Sequence, residues 1–100
     1  MSRLADVLGE GCWEKQFDQD GHSGAVWAEF TREFTGDGDT LSVTHVEADP
    51  RLRNTGAAGR FMEALVQEAR DAGVKLRPVC AYAVHWMTRH PESHDVLRRG

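Results

Sequence analysis

Six apolar residues mark one face of a single long helix, and that helix constrains the rest of the chain. Ala58, Phe61, Met62, Leu65, Val66 and Ala69 recur at i, i+3, i+4, i+7, i+8 and i+11. That is the spacing of an amphipathic helix, not of a strand. It predicts a helix over about 56–72, with Gly73 as its C-terminal stop. So continuous a stripe has to be covered by another layer.

The covering layer is legible on both sides of the helix. Residues 13–17 form a short strand candidate, followed by a polar turn over 18–24 with Gly21 and Gly24. Residues 25–34 alternate, with Val26, Ala28 and Phe30 on one side and Trp27 and Glu29 on the other. A hairpin loop is expected at 35–39 and a third strand at 40–47, stopped by Asp49-Pro50. After the helix, 74–80 reads as a fourth strand. Residues 81–89 read as a helix with Val84, Met87 and Tyr82 inward, closed by Pro91, with a final helical turn over 92–97. The fold class is therefore α+β: a mixed, mostly antiparallel sheet, its helices mainly on one face. One domain is expected over 13–98, preceded by a frayed helix or arm at 1–12.

Composition narrows the function. The net charge of −4 argues against broad nucleic-acid binding. The halves differ: residues 1–50 carry three Lys/Arg and eleven Asp/Glu, residues 51–100 nine and five. That asymmetry suits either an anionic ligand on the second half and a cationic one facing the first, or two halves that attract each other. No apolar run approaches the roughly 20 residues of a membrane helix. The start has an early acid and no apolar stretch, so a cytoplasmic protein without a membrane anchor is expected. Cys12 and Cys80 stand alone, which favours free thiols and excludes a C-x-x-C zinc site. His85, His90 and His94 are interrupted by Pro91 and match no zinc pattern, so no metal is expected. Trp13, Trp27 and Trp86 are not interleaved with basic residues, and read as core or rim aromatics.

The segment Arg53-Asn54-Thr55-Gly56-Ala57-Ala58-Gly59-Arg60 lies between a strand and the helix and has few bulky side chains at its centre. Small residues let a ligand reach the backbone, and a helix N-terminus offers unpaired N–H groups and a favourable dipole. With Arg51, Arg53 and Arg60 around it, the segment is either an anion site or a close helix–strand turn.

The segment resembles the pyrophosphate loop of GNAT acyltransferases, Q/R-x-x-G-x-G/A, with Arg53, Gly56 and Ala58 at the fixed positions. Thr44-His45-Val46-Glu47 before it, Cys80 after the next strand, and Arg89-His90-Pro91-Glu92 are similar to the small Yjdj-type members. The resemblance covers roughly 14–97. It implies a central helix after the pyrophosphate loop and a C-terminal helix, with acetyl-CoA as acyl donor. It also implies that the pyrophosphate is held by Arg53, Asn54, Thr55, Gly56, Ala57, Ala58, Gly59 and Arg60. The loop departs from its relatives at Asn54-Thr55, where Gly-Gln is common, and at Ala57-Ala58. Ala81-Tyr82 replaces a common Pro and aromatic.

Chemistry is expected next to the loop. Pro78 lacks an N–H and interrupts ladder pairing, so two strands can part there and leave a slot. In the family such a slot takes the pantetheine arm, which would bring Cys80 close to the thioester. Cys80 is then either an acyl-accepting thiolate assisted by the helix that follows it, or a small buried thiol. His45 shares the face of Leu41 and Val43 by simple alternation, pointing to the core or to the rim of the slot. It is either a structural histidine or a general base, with Glu47 as a second base. The resemblance further implies that the Val46 or Glu47 amide polarises the acyl carbonyl.

The leading expectation is an acetyl-CoA-dependent N-acetyltransferase acting on a small amine or a lysine side chain. The alternative is a non-catalytic CoA-binding or protein-interaction module on the same scaffold. So short a chain has little room for an acceptor pocket; a second copy in a homodimer, or a large partner, is one way to complete it.

Overall fold

A computed structural model describes residues 3–35 and 38–98. Its organising contact is the expected one. The helix α2 (Ala57–Ala72) buries Ala57, Phe61, Met62, Leu65, Val66 and Ala69. Ala57 heads the buried stripe, and Ala58 is only half-buried. Burial of each large side chain is worth roughly 1.5–3 kcal/mol, so this face is a substantial part of the core. Gly73 ends α2 at φ 72°, and Val74 N–H reaches back to Ala69 O at 3.0 Å.

The sheet has the order β1 (Cys12–Gln19), β2 (His22–Thr35), β3 (Gly38–Ala48), β4 (Lys75–Pro78). The first three strands are antiparallel; β4 runs parallel to β3. Val26, Ala28 and Phe30 face the core, as their alternation predicts. Trp13 from β1 packs on Phe61 with ring centroids 5.2 Å apart. Leu41 and Val43 of β3 are buried on the helix side. Thr40 and Ser42, on the other face, are buried as well, flanked by the Arg77–Glu33 ion pair (2.6 Å) from the strands on either side.

Several local expectations change. The seven-residue turn shrinks to Asp20-Gly21, both with positive φ, and pairing extends to Gln19 opposite His22. Two such residues match the twist of the flanking strands, so the polar neighbours stay in the ladder. Gly38 and Asp39 join β3, while Gly36 and Asp37 lie outside the described residues. The first residues form a short helix α1 (Leu4–Val7) whose Leu4 and Val7 enter the common core. Leu4 N–H donates to Glu68 Oε1 at 3.0 Å, tying it to α2.

The last helix, α3 (Ala81–Arg89), buries Ala83, Trp86 and Met87; Val84 and Tyr82 point outward. The large Trp86 sets the inward face, and Val84 falls off it. Instead of a final α-turn, a 3-10 turn at Pro91–Ser93 leads to a segment lying along β4. There Leu76 N–H donates to Val96 O, and Arg98 N–H to Leu76 O. Among the described residues no helix is long and apolar enough to cross a membrane.

Candidate functional site

The site begins where β3 runs into α2. Gly24 of β2 is buried, and a Cβ there would lie 2.7 Å from Asp49 Cβ. Glycine at that point lets the end of β3 settle on β2, where Asp49 N–H donates to Ala25 O at 2.8 Å. The Asp49 carboxylate accepts from Arg51 N at 2.9 Å and from its guanidinium at 2.7 and 3.1 Å. These bonds hold its pKa down to about 2. Asp49 thereby caps the 3-10 turn Pro50–Leu52, and Leu52 plugs into the core.

From this anchor the chain makes two left-handed steps, Asn54 at φ 64° and Gly56 at φ 82°. Asparagine is among the few non-glycine residues that tolerate this region, so the chain can make the first step without a glycine. Thr55 Oγ1 donates to Leu52 O at 2.6 Å and accepts from Ala57 N at 3.3 Å. The next two amides, of Ala58 and Gly59, have no hydrogen-bond partner among the described residues, and Gly56 offers no side-chain cap. Arg53 and Arg60 are exposed and make no ion pair among the described residues, whereas Arg51 is bound to Asp49. Two open amides at a helix N-terminus beside two free guanidiniums fit a diphosphate. Ala57 differs from its expected role: its side chain is in the core and its amide is taken by Thr55.

The slot lies on the other edge of β3. Pairing between β3 and β4 ends at Val43 opposite Pro78. Val79 N–H and Cys80 N–H then both donate to Val43 O, at 3.0 and 3.1 Å, and the chain turns away into α3. Residues 44–48 of β3 continue without β4 beside them. A β-bulge at this point leaves Thr44 unpaired, because Glu29 faces His45 while Phe30 faces Val43. One extra residue reverses the faces that follow. His45 therefore does not share the face of Leu41 and Val43. It stands exposed on the opposite face with Glu47, and Val46 and Ala48 turn toward the core.

Backbone directions follow from the same register. Asp49 N–H points at β2, so Glu47 and His45 also direct their backbone groups there. The N–H and C=O of Val46 consequently lie on the edge that β4 has left. Of the two amides considered for polarising a carbonyl, only that of Val46 is directed to the slot.

His45 Nε2 lies 3.0 Å from Glu47 Oε2, and this bond raises the His45 pKa above 6.5. The face around them is acidic: Glu14 and Glu47 flank Trp27 across the sheet, and Cys12 and His45 flank Glu29. Burial, then Glu29, Glu14 and Glu10, push the Cys12 thiol up. Cys80 is the N-cap of α3 rather than the end of a strand, half-buried, with Sγ accepting from Ala83 N at 3.4 Å. No hydrogen bond among the described residues joins Cys80 to His45 or Glu47. The later histidines have other partners: His90 stacks on Trp86 at 3.9 Å and bonds Glu92, and His94 bonds Met87 O.

Three contributors were not singled out from the sequence as parts of the site. Gly24 read as a turn residue and Asp49 only as a strand terminator, although Asp-Pro-Arg ahead of a helix is a capping signal. The Thr44 bulge leaves no trace in a linear pattern.

Comparisons with known proteins agree with this architecture. No curated protein matches the chain. A crystal structure of a Trypanosoma brucei acetyltransferase superposes with a TM-score of 0.51 and 20% identity, over 97% of this chain and 71% of that one. At that identity the likeness establishes the fold alone. The model of the GCN5-related N-acetyltransferase family matches residues 16–96. With the match spanning most of the chain, the protein belongs to the GCN5-related N-acetyltransferase family.

Proposed function

We propose that this protein is a small, Yjdj-type N-acetyltransferase that uses acetyl-CoA to acetylate a small amine or a lysine side chain. The observation that carries the reading is the parting of β3 and β4 at Val43, which opens the Val46 edge beside the Gly56 loop. Acetyl-CoA supplies the activated thioester. The Ala58 and Gly59 amides, with Arg53 and Arg60, hold the diphosphate, and the slot takes the pantetheine arm. The Val46 N–H faces the acyl oxygen and stabilises charge developing there. His45, oriented by Glu47, accepts the proton of the attacking amine. The carboxylates around Trp27 and His45 favour a cationic acceptor, which suits an amine that arrives protonated.

A second reading, with an acetyl group carried on Cys80, is favoured by the position of Sγ at the start of α3. The two separate in one assay: release of free CoA thiol with a panel of primary amines, for the parent, His45→Ala and Cys80→Ala. Direct transfer requires His45→Ala to lose at least about 100-fold while Cys80→Ala keeps most activity. Loss confined to Cys80→Ala, with an acetylated Cys80 peptide by mass spectrometry, reverses the assignment. A parent that binds acetyl-CoA and acetylates no amine, lysine peptides included, is the non-catalytic module.

A further inference from the structure

A cavity of about 470 Å³ opens beside β4, between α3 and the C-terminal segment. Its volume falls in the range of small-molecule sites, roughly 300–1,000 Å³. Pro78, Val84 and Leu97 give it apolar walls; Arg77, Arg98, His94 and Thr88 supply its polar lining, and among the described residues no carboxylate lines it. Arg77 reaches Glu33 through Nη1 at 2.6 Å, yet its buried Nε has no hydrogen-bond partner among the described residues. The guanidinium groups that line the cavity are charge-assisted donors, for which an anionic oxygen is the best acceptor.

The cavity is separate from the pyrophosphate loop. Trp86 faces Gly59 at the start of α2. Val84 and Thr88, which line the cavity, each lie about 200° round the helix from Trp86. The cavity therefore sits on the far flank of α3.

We propose that this cavity binds a small organic carboxylate, with its apolar body against Pro78, Val84 and Leu97 and its charge on the arginine side. The proposal goes beyond the acetyl-transfer reading and does not rest on it. A ligand there touches both β4 and α3, the elements that diverge from β3 at Val43, so its occupancy braces one wall of the slot.

Hexanoate is the probe and hexanamide its uncharged counterpart, titrated into the isotope-labelled protein and followed by amide NMR. Hexanoate is expected to shift the Val84, Thr88 and Leu97 amides and to leave Ala58 and Gly59 in place. Arg77→Gln is expected to weaken it about tenfold. That variant also loses the Glu33 ion pair, so Glu33→Gln controls for the pair and is expected to keep hexanoate binding. Val84→Trp, at an exposed position, fills the cavity and is expected to abolish binding in a protein that stays folded. Equal shifts with hexanamide, shifts confined to the Gly56 loop, binding unaffected by Val84→Trp, or no shift at millimolar hexanoate would each overturn the proposal.

Discussion

Replacing Gly24 by alanine tests how the sheet positions the loop. The added Cβ would lie 2.7, 2.9 and 3.0 Å from Cβ, Cγ and Oδ2 of Asp49. None of these atoms is the free end of a flexible chain, because the carboxylate is held by three bonds to Arg51. Overpacking of this kind costs about 1–3 kcal/mol, and a displaced cap about 0.5–2 more. The expected total is roughly 2–4 kcal/mol, or a fall of roughly 10–25 °C in the unfolding midpoint of a domain this size. Thermal and urea unfolding measure it, with Gly9→Ala as the control, since a Cβ at Gly9 meets nothing within 4 Å. A double-mutant cycle with Asp49→Gly removes all three clashing atoms, so Gly24→Ala should cost much less in that background. If Gly24→Ala matches the parent to within about 0.5 kcal/mol, or costs the same in both backgrounds, the close approach is not what requires glycine.

Other consequences are equally direct. Asn54 sits at φ 64°, so Asn54→Gly should leave stability unchanged or raise it, while Asn54→Val should cost about 1–2 kcal/mol by denaturant unfolding. His45 must be neutral to take a proton, and Glu47 raises its pKa. Activity should therefore rise with pH through a value above 6.5, and Glu47→Gln should move that limb to lower pH in a kcat/KM profile. Leu4 is fully buried against α2, so Leu4→Ala should destabilise the whole domain by about 2–4 kcal/mol in a single transition. A separate early transition would mean that the first residues are a detachable arm after all.

What could be read from the linear chain was whatever depends on neighbours in sequence. The α2 stripe from Phe61 to Ala69, the Gly73 stop and the Gly56 turn are contiguous patterns and stand where their residues indicate, while at the head of the stripe Ala57 takes the place expected of Ala58. The break at Pro78 was legible because a missing N–H is a property of one residue. The direction of His45 was not, because it depends on a bulge set by pairing with β2. Alternation carried through Thr44 without that extra residue puts His45 on the wrong face. On α3, Met87 faces inward as expected, but Val84 and Tyr82 do not, because the bulk of Trp86 turns the face of Ala83, Trp86 and Met87 to the core. Gly24 and Asp49 are 25 positions apart, and nothing local in either predicts their contact.

The most direct measurement of the central claim is thermal unfolding with and without acetyl-CoA, for the parent and for Gly56→Asp. A Cβ at Gly56 meets no neighbour within 4 Å. The φ of 82° strains any side chain by roughly 1–2 kcal/mol, but aspartate is among the residues that tolerate this region. The variant should therefore fold with a somewhat lower midpoint of its own, while its carboxylate competes for the Ala58 and Gly59 amides. At about a hundred times the dissociation constant, a ligand bound only by the folded state contributes about 2.7 kcal/mol, roughly 10–20 °C here. A rise of that order in the parent, lost in Gly56→Asp, places the acyl donor on the loop. No rise at millimolar acetyl-CoA, or an equal rise in both proteins, contradicts it.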